Sequence, residues 1–187
     1  MPSTFIATLK SISPLGQSKA LQTEKLQQET HDDHDKRVWR DRIHTDASGE
    51  VFIPPMALKF ALSAAAKKIG MKISGKRGAT YTAIFDSGVL LSEPIKLGIK
   101  AADVECERLF LNADGKRGGQ VRVWRNMPRI DEWKADAHIH VLNDLITDKV
   151  LQEHLEYVGM FVGLGFFRPE KGGYWGRFSV EKLTQGK

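Results

Sequence analysis

Apolar and polar residues alternate over part of Thr4–Ile12 (Phe5-Ile-Ala-Thr-Leu-Lys-Ser-Ile12), the period of a strand with one buried face. Pro14 and Gly16 end it. From Gln17 to about Ser48 the chain turns polar, rich in Gln, Glu, His, Asp and Lys. That stretch reads as a long loop or mobile excursion with a helical piece around Lys19 to Gln28, and loops of this length in a compact unit are as a rule functional or disordered. Val51-Phe-Ile53 then leads into Pro54-Pro55 and the segment Met56–Ile69. Proline suits the first helical turn, alanine and leucine fill the body, Lys67 and Lys68 fall in the last turn, and Gly70 stops it. Met71–Thr82 is a glycine-lysine-arginine loop, and Ser87–Leu91 and Ile95–Lys100 are strand-like, with Pro94 between them. Asp114–Gly119 is a turn between Leu109–Leu111 and Val121–Arg125, and Ala137–Leu142 alternates as a strand. Thr147 caps a second helix from Asp148 to about Phe161, whose face carries Val150, Leu151, Leu155, Val158, Met160 and Phe161. Trp175–Val180 supplies the last strand. The order predicts an α+β fold of ferredoxin-like or RNA-recognition type, βαββαβ, with an antiparallel sheet and both helices on one face. One domain spans residues 1–187, with the polar excursion at about 17–48 as a long inserted loop.

Composition narrows the partners. The net charge is +5 in 187 residues, a mild basic excess that suits a polyanion. The single cysteine, Cys106, rules out an internal disulfide or a multi-cysteine zinc site and suits a reducing cytosol. No apolar run is long enough for a transmembrane helix, and Met1-Pro-Ser-Thr-Phe-Ile6 lacks the pattern of a signal peptide. A cytoplasmic protein with no membrane partner is expected. No Walker loop, Rossmann fingerprint, nucleophile elbow or zinc-protease motif occurs.

The densest chemistry lies in Gly163–Val180, where five glycines, two arginines, a lysine and five aromatic residues occur in eighteen positions. Glycine allows close backbone approach to a ligand, arginine offers forked donors to phosphate, and aromatic rings offer stacking surfaces for unpaired bases. The alternative is a glycine hairpin whose aromatics fill a core. Tyr174 and Trp175 are adjacent in the expected strand and point to opposite faces, so at most one stacks on a base.

Three patches resemble the RAMP superfamily of CRISPR-associated proteins, or a phage or mobile-element relative of it. In Gly49-Glu-Val-Phe-Ile-Pro-Pro-Met-Ala-Leu-Lys59 a strand ending in Ile-Pro enters a helix; Ile53, Pro54, Leu58 and Lys59 match the family pattern, whereas Pro55, Met56, Ala57 and Phe60 depart from it. Val38-Trp-Arg-Asp41 is similar to the Val-X-Arg-Asp approach to that segment in backbone subunits, and the C-terminal glycine-rich segment resembles the loop beside the last strand. The resemblance implies a subunit that coats guide RNA, assembles side by side along it and works with other effector subunits. It also implies a loop aspartate that cleaves target RNA shortly before Val38; Asp35 stands nearest that place, with Asp33 second.

Basic residues beside glycine form the candidate track for a phosphate backbone. They are Lys67, Lys68, Lys72, Lys76 and Arg77; Lys116, Arg117, Arg122 and Arg125; and Arg168, Lys171 and Arg177 with Gly172, Gly173 and Tyr174, and Lys59 of the family-like segment joins them as a candidate. Arg40, Arg42 and His44 are further candidates for phosphate or 2′-hydroxyl. His31-Asp-Asp-His-Asp35 is dense enough in imidazole and carboxylate to bind a divalent metal through His31 and His34. The leading reading is a single-stranded RNA-binding homo-oligomer that needs no cofactor. Its rivals are a phage or mobile-element single-stranded DNA binder, a metal-dependent ribonuclease using His31–Asp35, and a structural or inhibitory protein with an acidic protein partner.

Overall fold

A computed structural model describes residues 3–113 and 119–186. In chain order they form β1 (Ser3–Ser11), β2 (Leu15–Gly16), α1 (His31–Val38), β3 (Glu50–Ile53), α2 (Pro55–Ile69), α3 (Thr82–Gly88), β4 (Val89–Leu90), β5 (Ile95–Lys100), β6 (Glu105–Asn112), β7 (Arg122–Ile130), β8 (Lys134–Val141), α4 (Asp148–Tyr157) and β9 (Phe178–Gln185). The central sheet has the order β4–β8–β1–β9, and each pairing is antiparallel. Read as β1, α2, β4, β8, α4, β9, this is the ferredoxin-like βαββαβ arrangement.

Alternation along β1 buries Phe5, Ala7 and Leu9, while Lys10 stays in solvent. Alternation along β8 buries Ala135, Ala137, Ile139 and Val141. Ala7 lies directly opposite Ala137, and both are fully buried. The helices contribute Leu58, Leu62, Ala65 and Ala66 from α2 and Leu151 and Leu155 from α4, all within one hydrophobic cluster. α2 starts with Pro54 and Pro55 and stops at Gly70 in the left-handed conformation; Thr147 accepts a hydrogen bond from the Val150 N–H at the start of α4.

Outside this sheet, β6 and β7 form a long antiparallel hairpin, and β2 pairs with the base of β7. The hairpin leaves the chain between β4 and β8, so it extends the connection between the second and third strands of the central motif. β3 and β5 form a separate pair.

Several boundaries differ from expectation. The helix in the polar excursion lies at His31–Val38, continued by a tight helical turn at Trp39–Arg42, not around Lys19 to Gln28. Thr30 fixes its start by accepting the Asp33 N–H. Residues 82–88 form α3, so only Val89 and Leu90 of the expected Ser87–Leu91 strand pair with β8. α4 ends at Tyr157 and widens into a π-turn over Val158–Val162, where Gly159 lies against the Phe178 carbonyl with no room for a Cβ. β9 begins at Phe178, so Tyr174 and Trp175 stand in the turn before it.

Candidate nucleic-acid interface

The glycine-rich segment 163–177 folds back on the start of the chain. The Phe166 N–H donates to the Gly16 carbonyl at 2.8 Å, and the Gly176 N–H donates to the Pro14 carbonyl at 2.6 Å. A Cβ on Gly165 would overlap the Gly16 carbonyl oxygen, so glycine here serves chain-to-chain contact. Trp175 is wholly buried beneath the turn, whereas Tyr174 is 51% exposed. One ring therefore fills the core and the other faces solvent, as the two-faced expectation had it, although a turn and not a strand separates them.

Between this turn and the β6–β7 hairpin runs an open groove of about 810 Å³. Its walls bring together Arg42, Arg125, Arg168 and Lys171 with Phe166 and Phe167, and Leu111 and Met127 form part of its floor. A smaller pocket of about 310 Å³ lies on the other side of Gly165 and Arg168, lined by His44, Gln17, Pro54 and Phe60 among others. Burial, and secondarily the Lys19 charge, pushes the His44 imidazole below its ordinary value, so it is neutral at pH 7.

The arginines are held in place by carboxylates and carbonyls. Arg42 donates to Oδ1 of Asp35 at 2.6 Å, and Arg125 Nη1 lies 3.7 Å from the same oxygen. Arg168 donates to Glu170 at 3.1 Å and to the Gly165 carbonyl at 3.2 Å. Lys171 is exposed at the groove mouth. Three flat guanidinium forks, an exposed ammonium and two rings along one trough suit a strand of phosphates and unpaired bases.

Other expected residues lie elsewhere. Lys59 donates to the Phe85 and Asp86 carbonyls at 2.5 and 2.9 Å, and burial pushes its ammonium pKa down. Arg177 donates to the carbonyls of Met160 and Tyr174, a brace between two turns. Arg40 lies over the Trp39 ring at 4.2 Å. Lys72, Lys76 and Arg77 are exposed on the loop after α2, which the buried Ile73 pins. Gly172 ends the short helical turn Pro169–Lys171, and Gly173 packs against the Phe167 carbonyl. Lys116 and Arg117 lie outside the described residues.

Asp35 is 2% exposed, and both of its oxygens already face donors. Asp33 receives the Thr30 hydroxyl, Asp32 pairs with Lys36 and Arg108, and His34 Nε2 lies 2.9 Å from the Thr23 carbonyl. His31 opens α1. Among the described residues no group of three or more His, Cys, Asp or Glu side chains is arranged to hold a metal ion, and no helix is long and apolar enough to cross a membrane.

The hairpin carries a feature that the basic-cluster reading missed. Phe110 and Trp124 are cross-strand partners with ring centroids 5.0 Å apart, and both are about half exposed. Arg108 covers Trp124 at 4.9 Å and Arg122 covers Phe110 at 5.5 Å. Alternation in Arg108-Leu-Phe-Leu-Asn112 and Arg122-Val-Trp-Arg-Asn126 is the signal that places these four side chains on one face.

The chain matches no protein-family model and no curated protein sequence. Among solved structures it is similar to a chain of the Type III-B Cmr-beta assembly bound to cognate target RNA, with a TM-score of 0.60 and 14% identity. The match covers 100% of this chain and 61% of that one, so this chain spans less than two thirds of its neighbour's length. At that identity the likeness is one of fold.

Proposed function

We propose that this chain is a single-stranded RNA-binding protein of RAMP-like architecture that holds a strand in the groove between its glycine-rich turn and the β6–β7 hairpin. The convergence of Arg42, Arg125, Arg168 and Lys171 with Phe166 and Phe167 carries this reading. These residues come from three separate stretches of sequence, and the fold gathers them beside a trough open enough for an extended strand. The structural neighbour, taken from an assembly bound to target RNA, favours RNA over DNA. The positions matched in Gly49–Lys59 and Val38–Asp41 point to the same type of protein.

The chain works beside further subunits, including copies of itself along the strand. Ile12, Met160, Phe161 and Tyr174 are exposed apolar residues, and Arg177 links three of them by hydrogen bonds through main-chain groups. Such a patch suits a head-to-tail contact, which repeats without closing.

Light scattering of the nuclease-treated protein with single-stranded RNA of increasing length tests the proposal. Complexes that grow by one protomer per fixed number of nucleotides are the expected result. Tighter binding to DNA of equal length would reassign the strand, and mass unchanged by either polymer would remove the nucleic-acid reading. Metal-dependent shortening of the RNA during the assay would support the ribonuclease reading instead.

A further inference from the structure

Among the described residues, Phe167 is the only non-glycine residue with positive φ, at 56°. A bulky L-residue adopts this conformation only where the surroundings enforce it. Its neighbours in the same turn with positive φ, Gly163, Gly165, Gly172 and Gly176, are all glycine. The backbone at 167 would therefore accept glycine more readily than it accepts a ring.

The turn holds this geometry in place from several sides. The Phe167 carbonyl accepts the Trp175 N–H at 3.1 Å, and Gly173 fits against that carbonyl so closely that a Cβ would overlap it. The ring meets Tyr174 and Trp175 edge-on, at centroid distances of 5.6 and 5.9 Å, and lies roughly parallel to Phe166 at 6.1 Å. Core filling does not account for it: Trp175 fills the core beneath the turn, while Phe167 is half-buried and lines the groove beside Arg125 and Lys171.

From this, resting on the RNA-binding reading of the groove, we infer that Phe167 is the base-stacking residue of the site. The unfavourable backbone presents a ring braced by two other rings, so a nucleobase stacks on it without first ordering a loose side chain. The cations alongside take the adjoining phosphates. Every base has a π-face, so the subsite orients the strand while tolerating any sequence.

Fluorescence polarisation with a labelled 20-nucleotide oligouridine, measured from low to moderate salt, tests the assignment. Phe167→Gly is expected to lose roughly tenfold in affinity and to keep the wild-type slope of log affinity against log salt, because no phosphate contact is removed. Phe167→Trp is expected to bind within about twofold of wild type and to show an added fluorescence quench on RNA binding, the signature of a stacked base. Thermal melting of both variants reports whether the turn still folds. Wild-type affinity in a folded Phe167→Gly overturns the assignment. So does an affinity loss in which the salt slope falls too, since that marks the ring as scaffold for the cations. No binding by the wild type, or wild-type affinity in Lys171→Ala and Arg125→Ala, overturns the groove reading and the stacking assignment with it.

Discussion

Asn126 donates both its main-chain N–H, at 2.5 Å, and its side-chain amide, at 2.9 Å, to Oδ2 of Asp35. That paired contact joins α1 to β7, while the other oxygen of Asp35 holds Arg42 at the groove. α1 is otherwise polar, with Val38 its only buried apolar residue, so packing alone does not fix it.

Asp35→Ala is therefore expected to destabilise the protein by about 3–5 kcal/mol, because it strands a largely buried guanidinium and leaves the Asn126 donors unpaired. Asp35→Asn retains the shape and should cost less. Urea denaturation followed by circular dichroism measures both. A midpoint within error of wild type for the alanine variant would show that the contact does not anchor α1.

Lys171→Ala and Arg125→Ala should each weaken RNA binding and reduce the slope of log affinity against log salt by about one, the mark of one lost phosphate contact. Lys59→Ala should behave in the opposite way. Its ammonium serves the carbonyls at the end of α3, so the variant is expected to lose about 1–2 kcal/mol of stability while its affinity per folded molecule is unchanged. Titrations at several salt concentrations, paired with denaturation curves, separate the two kinds of lysine. Equal salt slopes for Lys171→Ala and wild type would remove Lys171 from the strand path.

Much of the central fold could be read locally. The Pro54-Pro55 entry and Gly70 exit of α2, the alternation of β1 and β8, and the Thr147 cap of α4 are short-range signals. α1 could not be read that way, because its anchor is a carboxylate whose partner is ninety-one positions away. The groove was only half legible. Arg42, Arg125, Arg168 and Lys171 stood out as basic residues, but so did Lys59 and Arg177, which the fold places outside the groove lining and binds to main-chain carbonyls. Charge marks a cation as a candidate; only the tertiary path decides whether it reaches the groove. The same holds for the glycines, whose close contacts in the turn are largely with the chain itself.

Gly165 shows how tightly that turn is tied to the groove. Its φ is +73°, and a Cβ would overlap the Gly16 carbonyl oxygen, to which the neighbouring Phe166 N–H donates. Gly165→Ala is expected to cost at least roughly 1–3 kcal/mol from the backbone conformation alone, and to weaken RNA binding by shifting Phe166, Phe167 and Arg168 together. Thermal melting and polarisation titrations check the pair of effects. Lowered stability with unchanged affinity would show that the turn can move without disturbing the strand path.

His154 is expected to make folding pH-dependent. It is fully buried, stacks on Phe85 with ring centroids 4.2 Å apart, and has Nδ1 at 2.7 Å from the Val150 carbonyl, so the neutral ring carries its proton there. Burial pushes its pKa below the ordinary value of 6.5, outweighing the Val150 carbonyl and the Glu153 charge, which act the other way. The unfolded chain thus binds a proton more readily than the folded one, so stability is fully present above about pH 6.5 and falls as the pH drops below that value. A single such group contributes a slope no steeper than about 1.4 kcal/mol per pH unit, and the half-buried His44 acts in the same direction. Urea midpoints at pH 7.5, 6.5 and 5.5 should decline in the wild type and decline less in His154→Leu. Parallel declines in the two proteins would assign the pH dependence to His44 or to the surface carboxylates instead.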